Sequence, residues 1–128
     1  MKVLLDTHAF LWWLAGDERL SIPAREVIGS LHNTVLVSAA SAWEVSTKYR
    51  IGKLPGAREV ALDMASCLAS QNFVPIPITL EQAQQAGLLP GPHRDPFDRI
   101  LIAQALDLAI PLISNETVFD TYGVSRIW

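Results

Sequence analysis

Short runs of β-branched and leucine residues alternate along this chain with longer stretches of helical period. That alternation restricts it to an α/β architecture, in which helices connect the strands of a mainly parallel sheet. Expected strands are Lys2–Leu5, Thr34–Val37, Phe73–Ile76, Pro111–Ser114 and Val124–Ile127. Helical patterns fall at Thr7–Leu14, Ile22–Leu31, Ala42–Arg50, Arg58–Ser70, Leu80–Leu88, Pro96–Leu108 and, briefly, Thr117–Tyr122. The strands carry little polar alternation, as expected where helices cover both faces of a sheet. With 128 residues, 50% of them apolar, the chain has material for one core and is expected to form a single domain over 1–128.

Several boundaries are marked by residue type. Thr79 with Gln82, and Ser41 with Glu44, have capping-box spacing, in which a hydroxyl accepts from a free amide and the third residue reaches back. Asp95 followed by Pro96 reads as an N-cap with proline at the first helical position. Gly52 and Gly91 punctuate the longest interruptions, and Leu88–Arg94 reads as a loop.

The net charge of -3 argues against a broad basic surface, so any nucleic-acid contact has to come from a local patch. Lys48, Arg50 and Lys53 form one such patch. The lone Cys67 excludes an internal disulfide framework and a cysteine zinc cluster, and it fits a reducing compartment. Lys2 precedes apolar residues as far as Ala15, but Asp6 and His8 interrupt that run and no small-residue cleavage site follows. No charge-free stretch reaches transmembrane length. A soluble, cytoplasmic protein without membrane contact is expected.

The candidate chemistry lies in the acids. Open parallel sheets bind ligands at the carboxyl ends of their strands. Asp6 ends the first strand, Glu44 lies shortly after the second, Asp98 opens the helix before the fourth, and Glu116 follows the fourth. Four carboxylates in one pocket repel each other unless protons or a cation intervene. An all-oxygen donor set favours a hard divalent ion, Mg2+ or Mn2+, over zinc. Each acid also has an innocent role: Asp6 and Asp95 as helix caps, Glu44 as an i, i+4 partner of Lys48, Asp98 and Glu116 as helix-start acids.

Other residues carry weaker signals. His8 and His93 have no fixed partner in the sequence and read as structural or solvent-facing; Arg94 and Arg99 flank the acid pair and read as neutralising it. Phe10-Leu11-Trp12-Trp13-Leu14 makes the first helix apolar nearly all round, which calls for burial in the core or cover by another subunit. An aspartyl phosphotransferase would use Asp6 as nucleophile, yet the second acid common two residues on is replaced by His8. A dinucleotide site is poorer still, because no Gly-x-Gly-x-x-Gly follows the first strand.

Taken together, Leu5-Asp6-Thr7-His8, Val37-Ser38-Ala39-Ala40-Ser41-Ala42-Trp43-Glu44 with Gly52-Lys53-Leu54, His93-Arg94-Asp95-Pro96-Phe97-Asp98-Arg99 with Ile102-Ala103-Gln104-Ala105, and Phe119–Val124 resemble the PIN domain. Within that family the chain looks like the VapC-like ribonuclease toxins of bacterial toxin-antitoxin pairs. The resemblance spans essentially the whole chain in unchanged order. It implies a three-layer PIN-like fold and a metal-dependent endoribonuclease hydrolysing RNA. Asp6, Glu44 and Asp98 would be the catalytic residues and Mg2+ or Mn2+ ligands. Where the family pattern has Thr or Ser, any residue, then Asp, this chain departs and reads Ser114-Asn115-Glu116, so that Glu116 would be the candidate for the fourth acid, reaching the ion directly or through an intervening water. Thr7 and Ser114 would be hydroxyl partners of water or a ligand carboxylate, and Arg94 or the Lys48 patch would steady the RNA backbone. The resemblance also implies a homodimer and neutralisation by a cognate antitoxin. Its alternative is a catalytically weak or inactive PIN-fold module that binds RNA or protein.

Overall fold

The computed structural model describes residues 1–128. Five strands, β1 (Lys2–Leu5), β2 (Thr34–Ser38), β3 (Val74–Ile76), β4 (Leu112–Ile113) and β5 (Arg126–Ile127), form one sheet in the order β3-β2-β1-β4-β5. Every pairing is parallel. Seven α-helices occupy Thr7–Ala15 (α1), Ile22–Gly29 (α2), Ala39–Arg50 (α3), Arg58–Leu62 (α4), Met64–Ser70 (α5), Leu80–Leu88 (α6) and Pro96–Leu108 (α7), with 3-10 turns at Pro55–Ala57 and Thr117–Tyr122.

The period of two along β1 divides the core between the two faces of the sheet. Val3 and Leu5 join Phe10, Ala24, Ile28, Leu68 and Phe73 in a cluster roofed by α1, α2 and α5. Leu4 joins Leu36, Leu101, Ile102, Leu112 and Phe119 in a second cluster beneath α7. This is the three-layer α/β arrangement expected from the sequence.

Chain order matters more than layering for function. From β1 the chain steps through β2 to β3 on one side, then returns to place β4 on the other. The crevice above β1 and β4 is therefore a topological switch point, where helix connections diverge and leave room for a ligand. Leu5 pairs with Ile113, so Asp6 and Ser114 emerge side by side from the carboxyl ends of neighbouring strands.

Three local expectations need correction. The continuous helix over Arg58–Ser70 is divided at Asp63, whose extended backbone (φ -149°, ψ 72°) ends α4 and whose side chain caps α5 through Ser66 N–H. Ser41 and Glu44 do not form a capping box: α3 begins at Ala39, the cap is Ser38, and Ser41 lies buried inside the helix. The fourth strand pairs over Leu112–Ile113 only, which frees Ser114 to turn its hydroxyl toward Asp6.

Candidate active site

Asp6 leaves β1 as the N-cap of α1, with Oδ1 accepting from His8 N–H at 2.6 Å. Its Oδ2 accepts from Ser114 Oγ at 2.5 Å. Both oxygens are thus fixed from the protein side, and Asp6 is only 2% exposed. Burial pushes its carboxyl above the usual range; the Ser114 hydrogen bond and His8 pull it back, and Glu116 adds to the rise. Glu116 follows β4, and its backbone N–H donates to Ser114 Oγ at 3.0 Å. One hydroxyl therefore ties the two acid-bearing strand ends together.

Glu44 is buried on the second turn of α3. Lys48, one turn on, holds its Oε2 at 2.5 Å, while Oε1 is buried without any hydrogen-bond partner. A buried carboxylate oxygen left bare is costly, and it marks a place for a proton, a water or a cation. The ammonium of Lys48 is disfavoured by burial, but Glu44, Asp95 and Asp98 outweigh this and leave its pKa above the ordinary lysine value.

Asp98 stands in the first turn of α7. Asp95 caps that helix, its Oδ1 accepting from Phe97 N–H and Asp98 N–H at 2.9 and 3.1 Å. Burial, followed by the fields of Asp95, Glu116, Asp6 and Glu44, pushes the Asp98 carboxyl up to about 8. The four sequence-distant acids thus share one electrostatic field, and Asp6 and Glu116 fall in a group with His8 whose ligand atoms lie within 4.8 Å of one another.

The two histidines do not stand apart, contrary to expectation. His93 Nε2 lies 2.9 Å from Asp98 Oδ2, sharing a proton with it, and His8 Nδ1 lies 3.9 Å from Asp6 and 3.8 Å from Glu116. Nor does Arg99 neutralise the acids. Its guanidinium donates to the carbonyls of Ala86, Leu89 and His93 at 2.9, 2.5 and 2.9 Å, and so clamps the loop before α7 from beneath. Tyr122 holds the same loop from the other side, its hydroxyl accepting from His93 N–H at 3.3 Å. Gly91 permits this approach: its φ is +94°, and a Cβ there would meet Tyr122 Oη at 2.7 Å. Arg94 is exposed at the rim. Thr7 Oγ1 meets Ser41 Oγ at 2.9 Å rather than a carboxylate, pinning α1, which Asp6 caps, to α3, which bears Glu44.

The donor set suits a hard divalent ion: clustered carboxylates, one with a bare buried oxygen and another raised by its neighbours, gain by exchanging a proton for a cation.

Residues 3–124 match the family model described as the PIN domain. Ribonuclease VapC22 of Mycobacterium tuberculosis is 30% identical over 118 residues, covering 89% of this chain and 86% of that protein. Ribonuclease VapC16 of the same organism is 52% identical over 31 residues, which span 24% of this chain and 22% of that protein. Among solved structures, VapBC2 from Rickettsia felis, bound to a DNA fragment from its promoter, superposes with a TM-score of 0.72 at 15% identity, covering 99% of this chain and 98% of that one. A toxin-antitoxin complex from Klebsiella pneumoniae gives 0.68 at 19% identity, covering 98% and 96%.

Proposed function

The chain belongs to the PIN-domain family, and on that premise we propose that it is a VapC-like toxin: a Mg2+- or Mn2+-dependent endoribonuclease held in check by a cognate antitoxin. The observation that carries this reading is the meeting at the switch point of Asp6 and Glu116, tied through the one Ser114 hydroxyl, with the bare buried oxygen of Glu44 and with Asp98, whose carboxyl burial and the neighbouring acids push up to about 8. The VapC relatives named as ribonucleases support the reaction class. The Klebsiella toxin-antitoxin complex supports the partner.

When bound, the ion would acidify water and polarise the scissile phosphodiester. Asp6, Asp98 and Glu116 would hold it, Asp6 oriented by Ser114 and Asp98 by His93. Glu44, anchored through Oε2 by Lys48, keeps Oε1 to orient the attacking water or accept its proton. With Lys48 engaged, Arg50 and Lys53 of the same patch and Arg94 remain exposed and would be available to the RNA backbone. Thr7 positions Glu44 indirectly, through Ser41.

The test is RNA cleavage by the purified chain with Mg2+ or Mn2+. Activity should vanish with EDTA, and Asp6→Asn or Asp98→Asn should lower it by about a hundredfold or more with the circular dichroism unchanged. RNA binding without cleavage in any metal would replace this reading with that of a binding module.

A further inference from the structure

His8 contributes nothing to the reaction as described above, yet its ring faces the acids. We propose that His8 Nδ1 is a metal ligand, completing with Asp6 and Glu116 a mixed nitrogen-oxygen subsite that takes a transition ion such as Mn2+ in preference to Mg2+. This rests on the metal-nuclease reading and extends it from the acids to an imidazole.

Geometry carries the assignment. Nδ1 lies 3.9 Å from Asp6 Oδ1 and 3.8 Å from Glu116 Oε1, and the three ligand atoms all fall within 4.8 Å of one another. With bonds of about 2.1 Å, octahedral ligands stand about 3.0 Å apart when cis and about 4.2 Å apart when trans. The two measured separations lie between these values and exceed hydrogen-bond length, so Nδ1 bonds to neither carboxylate, and a movement of less than about 1 Å brings either oxygen to a cis position beside it. Asp6 Oδ1 accepts only the His8 N–H, and a carboxylate oxygen has a second lone pair to give.

The ring is also held in place. Its centroid lies 5.8 Å from that of Trp12, which Arg19 covers at 5.0 Å and Trp128 meets at 5.9 Å. The His8 side chain is 46% exposed, which leaves coordination positions for water and a phosphate oxygen. Glu116, a residue longer than aspartate, stands where it reaches the same point as the imidazole. Carboxylates alone suit Mg2+ and Mn2+ alike, whereas an imidazole nitrogen shifts the preference toward transition ions.

The experiment uses Mn2+ itself as probe on the full chain without RNA. Pulsed electron paramagnetic resonance of the Mn2+-loaded protein should show nitrogen-14 modulation from one imidazole. His8→Ala should abolish it and weaken Mn2+ binding by about tenfold or more, while Mg2+ binding changes by less than about threefold. His8→Ala keeps the backbone N–H that Asp6 accepts, and His93→Ala serves as the control that should retain the nitrogen signal. Bound Mn2+ with no nitrogen modulation in the unaltered protein would overturn the assignment and make His8 a counter-ion. Modulation that survives His8→Ala and disappears in His93→Ala would overturn it in favour of the other histidine. Either result leaves metal-dependent RNA cleavage standing, whereas a protein that binds neither ion removes both.

Discussion

Asp98 keeps its proton up to about pH 8 because burial and the neighbouring Asp95, Glu116, Asp6 and Glu44 all oppose its ionisation. In the unfolded chain the same group ionises near its ordinary 3.8. Between those values the folded state binds the extra proton, so metal-free stability must fall as pH rises through the window and level off above about 8. Asp6, raised as well, acts in the same direction. Thermal denaturation of EDTA-treated protein should therefore show the melting temperature dropping from about pH 5 to about pH 8. Asp98→Asn should flatten that slope, and saturating Mn2+ should lift the pH 8 value most. The acids themselves were legible in the sequence, since a carboxylate at the end of an apolar strand or in a first helical turn is a local pattern. The partners of the two histidines were not: His93 lies in an irregular loop with no helical or strand period to aim it, and His8, though helical, meets Glu116 from the far end of the chain.

At the level of elements, the loop Leu88–Arg94 shows the difference between a segment without regular structure and one without order. Arg99 reaches back from α7 to three carbonyls on that loop and on α6. Hydrogen bonds from a charged donor contribute about 1.5–3 kcal/mol each, and a lysine cannot reproduce the planar fork. Arg99→Lys is expected to cost about 2 kcal/mol in urea denaturation, to expose the loop to limited proteolysis, and to reduce RNA cleavage through a misplaced His93. Capping chemistry told the truth for Thr79–Gln82 and for Asp95. It misled at Ser41, because tertiary demand for a buried hydroxyl beside Thr7 overrode the local motif. The break at Asp63 was hidden for a similar reason, as the apolar periodicity continues on either side of the interruption.

The whole molecule follows from one topological fact, the reversal of strand order beside β1. Parallel layering was readable from alternating strands and helices; the pairing of β1 with β4 was not, since no local signal links segments that far apart. Leu11, Trp12, Trp13 and Leu14 pack against the core beneath α1 while remaining only half-buried. This residual apolar surface fits the homodimer that we propose for a VapC-like toxin. Sedimentation at micromolar concentration should give twice the 14.1 kDa of the chain, and a monomer throughout would exclude that assembly. Ser114 grips Asp6 across 108 positions of sequence. The pocket therefore has no existence in the nascent polypeptide until almost all of it has been translated, and a prematurely terminated copy that lacks β4 lacks the hydroxyl that orients Asp6.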